Sequence, residues 1–198
     1  MSQDGKRVQK KESIIKVALT LFSVYGFHKT TIPNIAKRLG MSSGNLYNYF
    51  PSKEILAQEI IKYTSEVLGA EIRKINQQKK LSTDKKIHKI VEVYFKMAVE
   101  KPEMIEYFLR VYLSHREVFV GECQRMVCVA SFITEIMIFF SDGVESGDLR
   151  DQDFFSAFGL FMGYLGGMAF LNGEAMLPHS LKEYTDDISQ NIYNALKT

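Results

Sequence analysis

One stretch of this chain has a spacing that could do covalent chemistry: Gly40-Met41-Ser42-Ser43-Gly44 fits G-x-S-x-G, the nucleophile turn of α/β-hydrolases. That turn needs a strand before the serine, whereas Ile35 to Leu39 has a helical period and no strand-rich context surrounds it. The histidines, His28, His88, His115 and His179, are scattered, and neither H-E-x-x-H nor a Cys/His metal spacing occurs. His115-Arg116 could meet an anionic ligand, but an exposed helix end is the simpler account. No catalytic residue, cofactor or metal site is expected. The same stretch supports a different chemistry. Ser42, Ser43, Gly44, Asn45, Tyr47, Asn48 and Tyr49 are small or hydrogen-bonding groups, and aromatic bodies with polar tips. Such side chains suit phosphate oxygens, base edges and thymine methyls.

The elements that must position them are two short helices. Thr31 is a good N-cap for a helix carrying Ile32, Ile35, Ala36 and Leu39 on one stripe. Pro33 falls in its first turn, where the missing N–H has no intrahelical partner anyway. Gly40 stands where a helix end favours positive φ, and Ser42 can then cap a second helix carrying Leu46, Tyr47 and Phe50. Two short helices joined by a Gly-containing turn form a helix-turn-helix, the unit that seats its second helix in the major groove of DNA. Pro51 closes that helix, Ser52 can cap the next, and Lys53 falls in the first turn of the next. A cation there opposes the helix dipole, so a DNA phosphate is expected beside Lys53 and the free N–H groups of the helix start.

With these residues in view, the segment from about Ile14 to about Ile61 resembles the tetracycline-repressor (TetR) family of bacterial transcriptional regulators. The resemblance rests on IIKVALTLFSVYGF, the Thr30-Thr31 and Ile35-Ala36 pairs, and Leu39-Gly40. Above all it rests on Ser43-Gly44-Asn45-Leu46-Tyr47 leading into Tyr49-Phe50 and Ser52-Lys53-Glu54. The family commonly has His where this chain has Tyr49. Beyond about residue 65 no shared motif remains, and the resemblance implies only an architecture.

Charge follows the same division. Residues 1–53 hold nine Lys or Arg against Asp4 and Glu12, a net of +7, while the remainder is −5 within a total of +2. A basic segment coinciding with the motif is the footprint of a nucleic-acid binder. Cys123 and Cys128 are too few for a disulfide framework, and five residues apart on a helix they diverge, so reduced thiols and a cytoplasmic setting are expected. The N-terminal MSQDGKRVQKKESIIK has no apolar core of signal-peptide length. It reads as a polar, disordered arm, with DNA contact as the other reading.

Helical period continues to the C-terminus, and the fold expected is all-α with about nine helices: a three-helix DNA-binding domain over 1–52 and a helical ligand-binding and dimerisation domain over 53–198. A fourth helix should run from Ser52 to about Lys79, a seventh from about Phe119 to Phe140, and residues 141–153 should form a loop. Residues 154–171 are eighteen residues without a charge, long enough to cross a membrane. Their flanks, Asp151, Asp153 and Glu174, lack the Lys/Arg cluster that sets topology. Gly159, Gly163 and Gly167 each cost roughly 1 kcal/mol in a soluble helix, which close approach to another helix would offset. The resemblance implies a four-helix dimer interface made by the last two helices, and these glycines are assigned to it; a buried non-dimeric helix and a membrane span are the alternatives. The mid-chain aromatics are read chiefly as core. Phe95, Phe108, Tyr112, Phe132, Met137 and Phe161 are the candidates to line an apolar pocket.

The DNA contacts assigned are Thr31, Ser42, Ser43, Gly44, Tyr47, Asn48, Tyr49 and Lys53. The expected function is a homodimeric regulator, a repressor released from a palindromic operator by an apolar or amphipathic small molecule. A ligand-independent DNA-binding or architectural protein, and a small-molecule enzyme, remain open.

Overall fold

The computed structural model describes residues 3–114 and 125–198, with side chains described for 4–109 and 127–198. Ten α-helices account for most of them: α1 (Gln3–Tyr25), α2 (Ile32–Arg38), α3 (Ser43–Tyr47), α4 (Lys53–Asn76), α5 (Thr83–Glu100), α6 (Pro102–Ser114), α7 (Arg125–Cys128), α8 (Ala130–Glu145), α9 (Phe154–Gly173) and α10 (Thr185–Leu196). Among the described residues there is no strand; a lone bridge joins Leu149 to Lys197. The all-α expectation holds.

The helix boundaries follow local chemistry. Thr31 Oγ1 accepts from the Asn34 N–H at 3.3 Å, Ser42 Oγ from Asn45 at 3.2 Å, and Ser52 Oγ from Ile55 at 3.1 Å. Each hydroxyl satisfies an N–H that its helix leaves without a partner. Gly26 and Gly40 adopt φ of +81° and +62° just after α1 and α2, conformations that a side chain would strain.

The chain divides into two compact units. The first comprises Met1–Thr64 with Glu106–Cys128, and so extends beyond the expected 1–52 segment. Its core is Ile14, Ala18, Leu19 and Phe22 of α1 with Ile35, Leu46, Phe50, Leu56 and Ile60, all buried. Tyr107 of α6 stacks on Phe22 at 5.9 Å and donates its hydroxyl to the Ala57 carbonyl at 3.2 Å. Burial drives its phenol pKa well above the usual value.

The second unit comprises Ser65–Ile105 with Val129–Thr198. The latter half of α4 lies against α8 so closely that a Cβ added at Gly69 would sit 2.9 Å from the Ser131 carbonyl oxygen. Ser65 Oγ accepts from the Phe132 N–H at 3.1 Å. Buried Glu135 of α8 accepts from Arg73 Nε at 2.6 Å and from Asn76 Nδ2 at 3.2 Å, so the charge that α8 takes inside is paired. α10 lays Ile188, Ile192 and Leu196 inward and packs on α5 and α9.

Several sequence expectations need correction. The N-terminal arm is not disordered: α1 begins at Gln3. Lys11 holds the extension by pairing with Glu59 at 3.4 Å. The helix expected over 119–140 is broken at Val129, whose ψ of 7° lies outside the helical range, leaving α7 and α8. Residues 141–145, expected in a loop, continue α8, because Gly143 leaves room for the buried Leu149 side chain. Cys128 is disulfide-bonded, where reduced thiols were expected. Cys123, His115 and Arg116 lie outside the described residues.

Candidate nucleic-acid interface

The helix-turn-helix is anchored from below and bare above. Thr30, buried, places its hydroxyl between the carbonyls of Leu21 at 3.1 Å and Gly26 at 2.9 Å, tying the start of α2 to the end of α1. Leu46 is fully buried and fixes α3 on the core, while Tyr49 and Phe50 both return their N–H groups to the Leu46 carbonyl. The other side of α3 presents Ser42, Gly44, Asn45, Tyr47 and Asn48 as exposed residues, with Ser43 and Tyr49 half-buried. Thr31 is exposed at the start of α2. All eight residues assigned to DNA therefore fall on one unit, along α2, α3 and the start of α4.

Gly44 has no internal reason to be glycine. A Cβ there meets nothing within 4 Å, and its φ is not positive. Glycine in a helix costs up to about 1 kcal/mol relative to alanine, so something outside the protomer should account for it.

At Lys53 the structure supplies a partner that sequence reasoning missed. Its Nζ donates to the Phe27 carbonyl at 2.9 Å and the Thr30 carbonyl at 3.3 Å, and lies 4.2 Å from the Phe27 ring centroid. The ammonium closes the α1–α2 turn, so its position at a helix N-terminus does not by itself require an external anion. With two donors engaged, one N–H remains for another acceptor. The extended α1 was missed too. Arg7 lies over the Tyr49 ring, 5.9 Å from its centroid, and Lys11 over Phe50 at 5.3 Å. The run of Lys and Arg at spacings of three and four was the available signal.

Within the second unit, the residues proposed to line a pocket do not share one cavity. Phe161 is fully buried against Phe139 and Phe140, and Phe132 packs on Phe158, all as core of the second unit. Met137, half exposed, lines an open groove of about 500 Å³ with Phe140, Leu149, Arg150 and Phe154. Phe95 borders a different groove, of about 320 Å³, beside Val99, Glu92 and Lys182. Phe108 is buried in the first unit, and the side chain of Tyr112 lies outside the described residues. Among the described residues no group of three metal-ligating side chains is assembled.

α9 presents a bare apolar face. Ala157, Phe161, Leu165 and Ala169 point inward, but only 17% of its most apolar window is buried. Gly159, Gly163 and Gly167 border a shallow groove with Leu160, Tyr164, Met168 and Leu171, and a Cβ at any of the three glycines would meet nothing within the protomer. The helix is long and apolar enough to cross a membrane by length and composition alone.

Residues 14–60 match the family model for bacterial regulatory proteins of the tetR family. The HTH-type transcriptional regulator RutR of Escherichia coli (strain K12) is 38% identical over 73 residues, 35% of this chain. That alignment spans only 34% of RutR's own length. The HTH-type regulator YxaF of Bacillus subtilis (strain 168) is 27% identical over 150 residues, 74% of this chain and 76% of that one. The fold over nearly the whole chain is that of the transcriptional regulator FadR from Bacillus subtilis, solved in complex with stearoyl-CoA. Its TM-score is 0.79 at 15% identity, covering 91% of this chain and 96% of FadR. These relatives are regulators and not enzymes, and residues 14–60 carry the DNA-binding segment of the tetR family of bacterial regulatory proteins, in a chain whose fold matches that of a transcriptional regulator.

Proposed function

We propose that this protein is a homodimeric, DNA-binding transcriptional regulator, a repressor that an apolar or amphipathic small molecule releases from a palindromic operator. The observation that carries the reading is the outward side of α3. It is a row of small and hydrogen-bonding groups around a glycine with no internal cause, held rigid by a fully buried Leu46. In this reading Ser43, Gly44, Tyr47 and Asn48 face base edges and the sugar-phosphate chain, and Thr31, Ser42, Tyr49 and Lys53 meet phosphates. A cytoplasmic location follows from that role.

Dimerisation is supported by α9. Its three glycines face outward, so the close approach they permit would be to a second copy rather than to the protomer's own core. A membrane span fits less well, because α9 is packed sideways on α10, whose exposed Asp186 and Asp187 would have to enter the bilayer with it.

For the effector, a groove of the second unit has suitable size and character. Met137, Phe140, Leu149 and Phe154 give it an apolar floor, and Arg150, Glu145 and Asp151 give it charged groups of both signs, which suits an amphipathic ligand. The long-chain acyl thioester held by the FadR structure is such a molecule. Phe95, Phe132 and Phe161 would then act by packing around the site.

Selection from random duplexes by the purified protein, followed by footprinting, tests the reading. It should return a palindrome whose half-sites lie about 34 Å apart, and an apolar or amphipathic small molecule should release the complex. A single unpaired half-site would overturn the dimeric arrangement. Operator binding indifferent to a broad panel of lipids and aromatic metabolites would favour a ligand-independent DNA-binding protein.

A further inference from the structure

The first turns of α1 carry four cations, Lys6, Arg7, Lys10 and Lys11, against one carboxylate, Asp4. They form a continuous helix with the core-bound part of α1, and they are fastened to the helix-turn-helix. Lys11 pairs with Glu59 of α4 and covers the Phe50 ring, and Arg7, one turn earlier on the same stripe, covers Tyr49, two residues after the end of α3. Lys6 and Arg7 are exposed and Lys10 is half exposed. Lys16 stands nine residues from Arg7, about 180° around a helix of 3.6 residues per turn, and has Glu12 four residues before it.

We infer that the basic N-terminal extension of α1 is a second DNA-contacting element, in which Lys6, Arg7 and Lys10 grip the phosphate strand bordering the major groove occupied by α3. The inference rests on the DNA-binding reading above and adds residues outside the helix-turn-helix. Three features carry it. Arg7 lies about 6 Å from a residue already assigned to the interface, so its guanidinium is placed at the groove's edge rather than over the base pairs. The three cations span about 6 Å along the helix axis at 1.5 Å per residue, which is close to the rise of two phosphates of one strand at about 3.4 Å each. The extension is also ordered by Lys11 and Glu59 before any DNA arrives, so ordering it is not an added cost of binding.

The test compares the full-length wild type, Lys6→Ala/Arg7→Ala/Lys10→Ala, and Lys16→Ala. Each is titrated against the fluorescein-labelled duplex that the wild type selects, and against a scrambled duplex, between 50 and 200 mM salt. Circular dichroism confirms that each variant is folded. Removing one cation from a phosphate should reduce the salt slope by about 0.9, so three per protomer amount to about five units for a dimer. The triple variant should bind at least tenfold more weakly at 50 mM salt, equally on both duplexes, with Lys16→Ala unchanged. A triple variant with the affinity and slope of Lys16→Ala would overturn the proposal while leaving the helix-turn-helix reading intact. A loss confined to the selected duplex would overturn the phosphate assignment in favour of base contacts. A wild type that binds no duplex at all would overturn both readings.

Discussion

Replacing Lys53 by methionine keeps the stem of the side chain and removes the ammonium, which separates two roles that fall on one residue. In the folded chain Nζ donates to Phe27 and Thr30 carbonyls at 2.9 and 3.3 Å and sits 4.2 Å over the Phe27 ring. A hydrogen bond to a charged group contributes roughly 1.5–3 kcal/mol when well formed and sheltered. Here the second bond is long and the side chain half exposed, so solvent would recover part of the loss. We expect Lys53→Met to cost about 1–2 kcal/mol, a fall of about 2–8 °C in Tm. If the third N–H also meets a phosphate, the salt slope of operator binding should fall by about one unit per protomer, with affinity reduced alike on all sequences. Differential scanning fluorimetry reads the first effect and anisotropy across a salt series reads the second. An unchanged Tm would refute the turn-closing role argued from the carbonyl distances. An unchanged slope in a folded variant would refute the phosphate contact.

Glu59 is pushed up by partial burial, but Lys62 and Lys11 outweigh that and hold its pKa below the usual 4.5. A depressed carboxylate stabilises the fold above its unfolded pKa and loses that contribution as pH falls through the folded value. The urea midpoint of the wild type should therefore exceed that of Glu59→Gln at pH 7 and approach it as the pH falls below 4.5 and through the depressed folded value, and a constant gap at all pH values would count against the pairing. Gly69→Ala should destabilise by about 1–3 kcal/mol, because a Cβ 2.9 Å from the Ser131 carbonyl oxygen forces α4 and α8 apart; an unchanged midpoint would mean that this contact is looser than it stands. Gly163→Leu should instead leave the protomer folded while abolishing the dimer and weakening operator binding, and sedimentation of an intact dimer at micromolar concentration would remove these glycines from the interface.

What was legible in the sequence was whatever local chemistry decides. Thr31, Pro33, Gly40, Ser42 and Ser52 each act on backbone groups within a few residues, so the bounds of α2, α3 and the start of α4 could be read directly. What was not legible depends on partners far along the chain. Lys53 reads as a lone cation because Phe27 and Thr30 lie 26 and 23 residues before it. The extension of α1 reads as a disordered arm because Glu59, which holds it, lies 48 residues on from Lys11. Residues 141–145 read as loop because the run they open is turn-rich and acidic, and only the distant Leu149, filling the space that Gly143 leaves, shows why they stay in the helix.

The glycines show most directly how far sequence reasoning reaches. A helical glycine is anomalous by its propensity alone, but propensity does not say on which side the cause lies. At Gly69 and Gly143 the cause is inside the fold, since an added Cβ would come within 3 Å of Ser131 or of Leu149. At Gly44, Gly159, Gly163 and Gly167 nothing in the protomer lies within 4 Å. The same cost is incurred there without an internal return, so the cause must be sought in what the protomer meets. Gly44 stands among hydrogen-bonding side chains in a basic segment, whereas the other three stand on an apolar helix between acidic flanks. The polyanion and the second copy of the chain are therefore assigned to different surfaces by one criterion, and a duplex-binding defect in Gly44→Leu that spared the dimer, set against the converse in Gly163→Leu, would show that the criterion separates them.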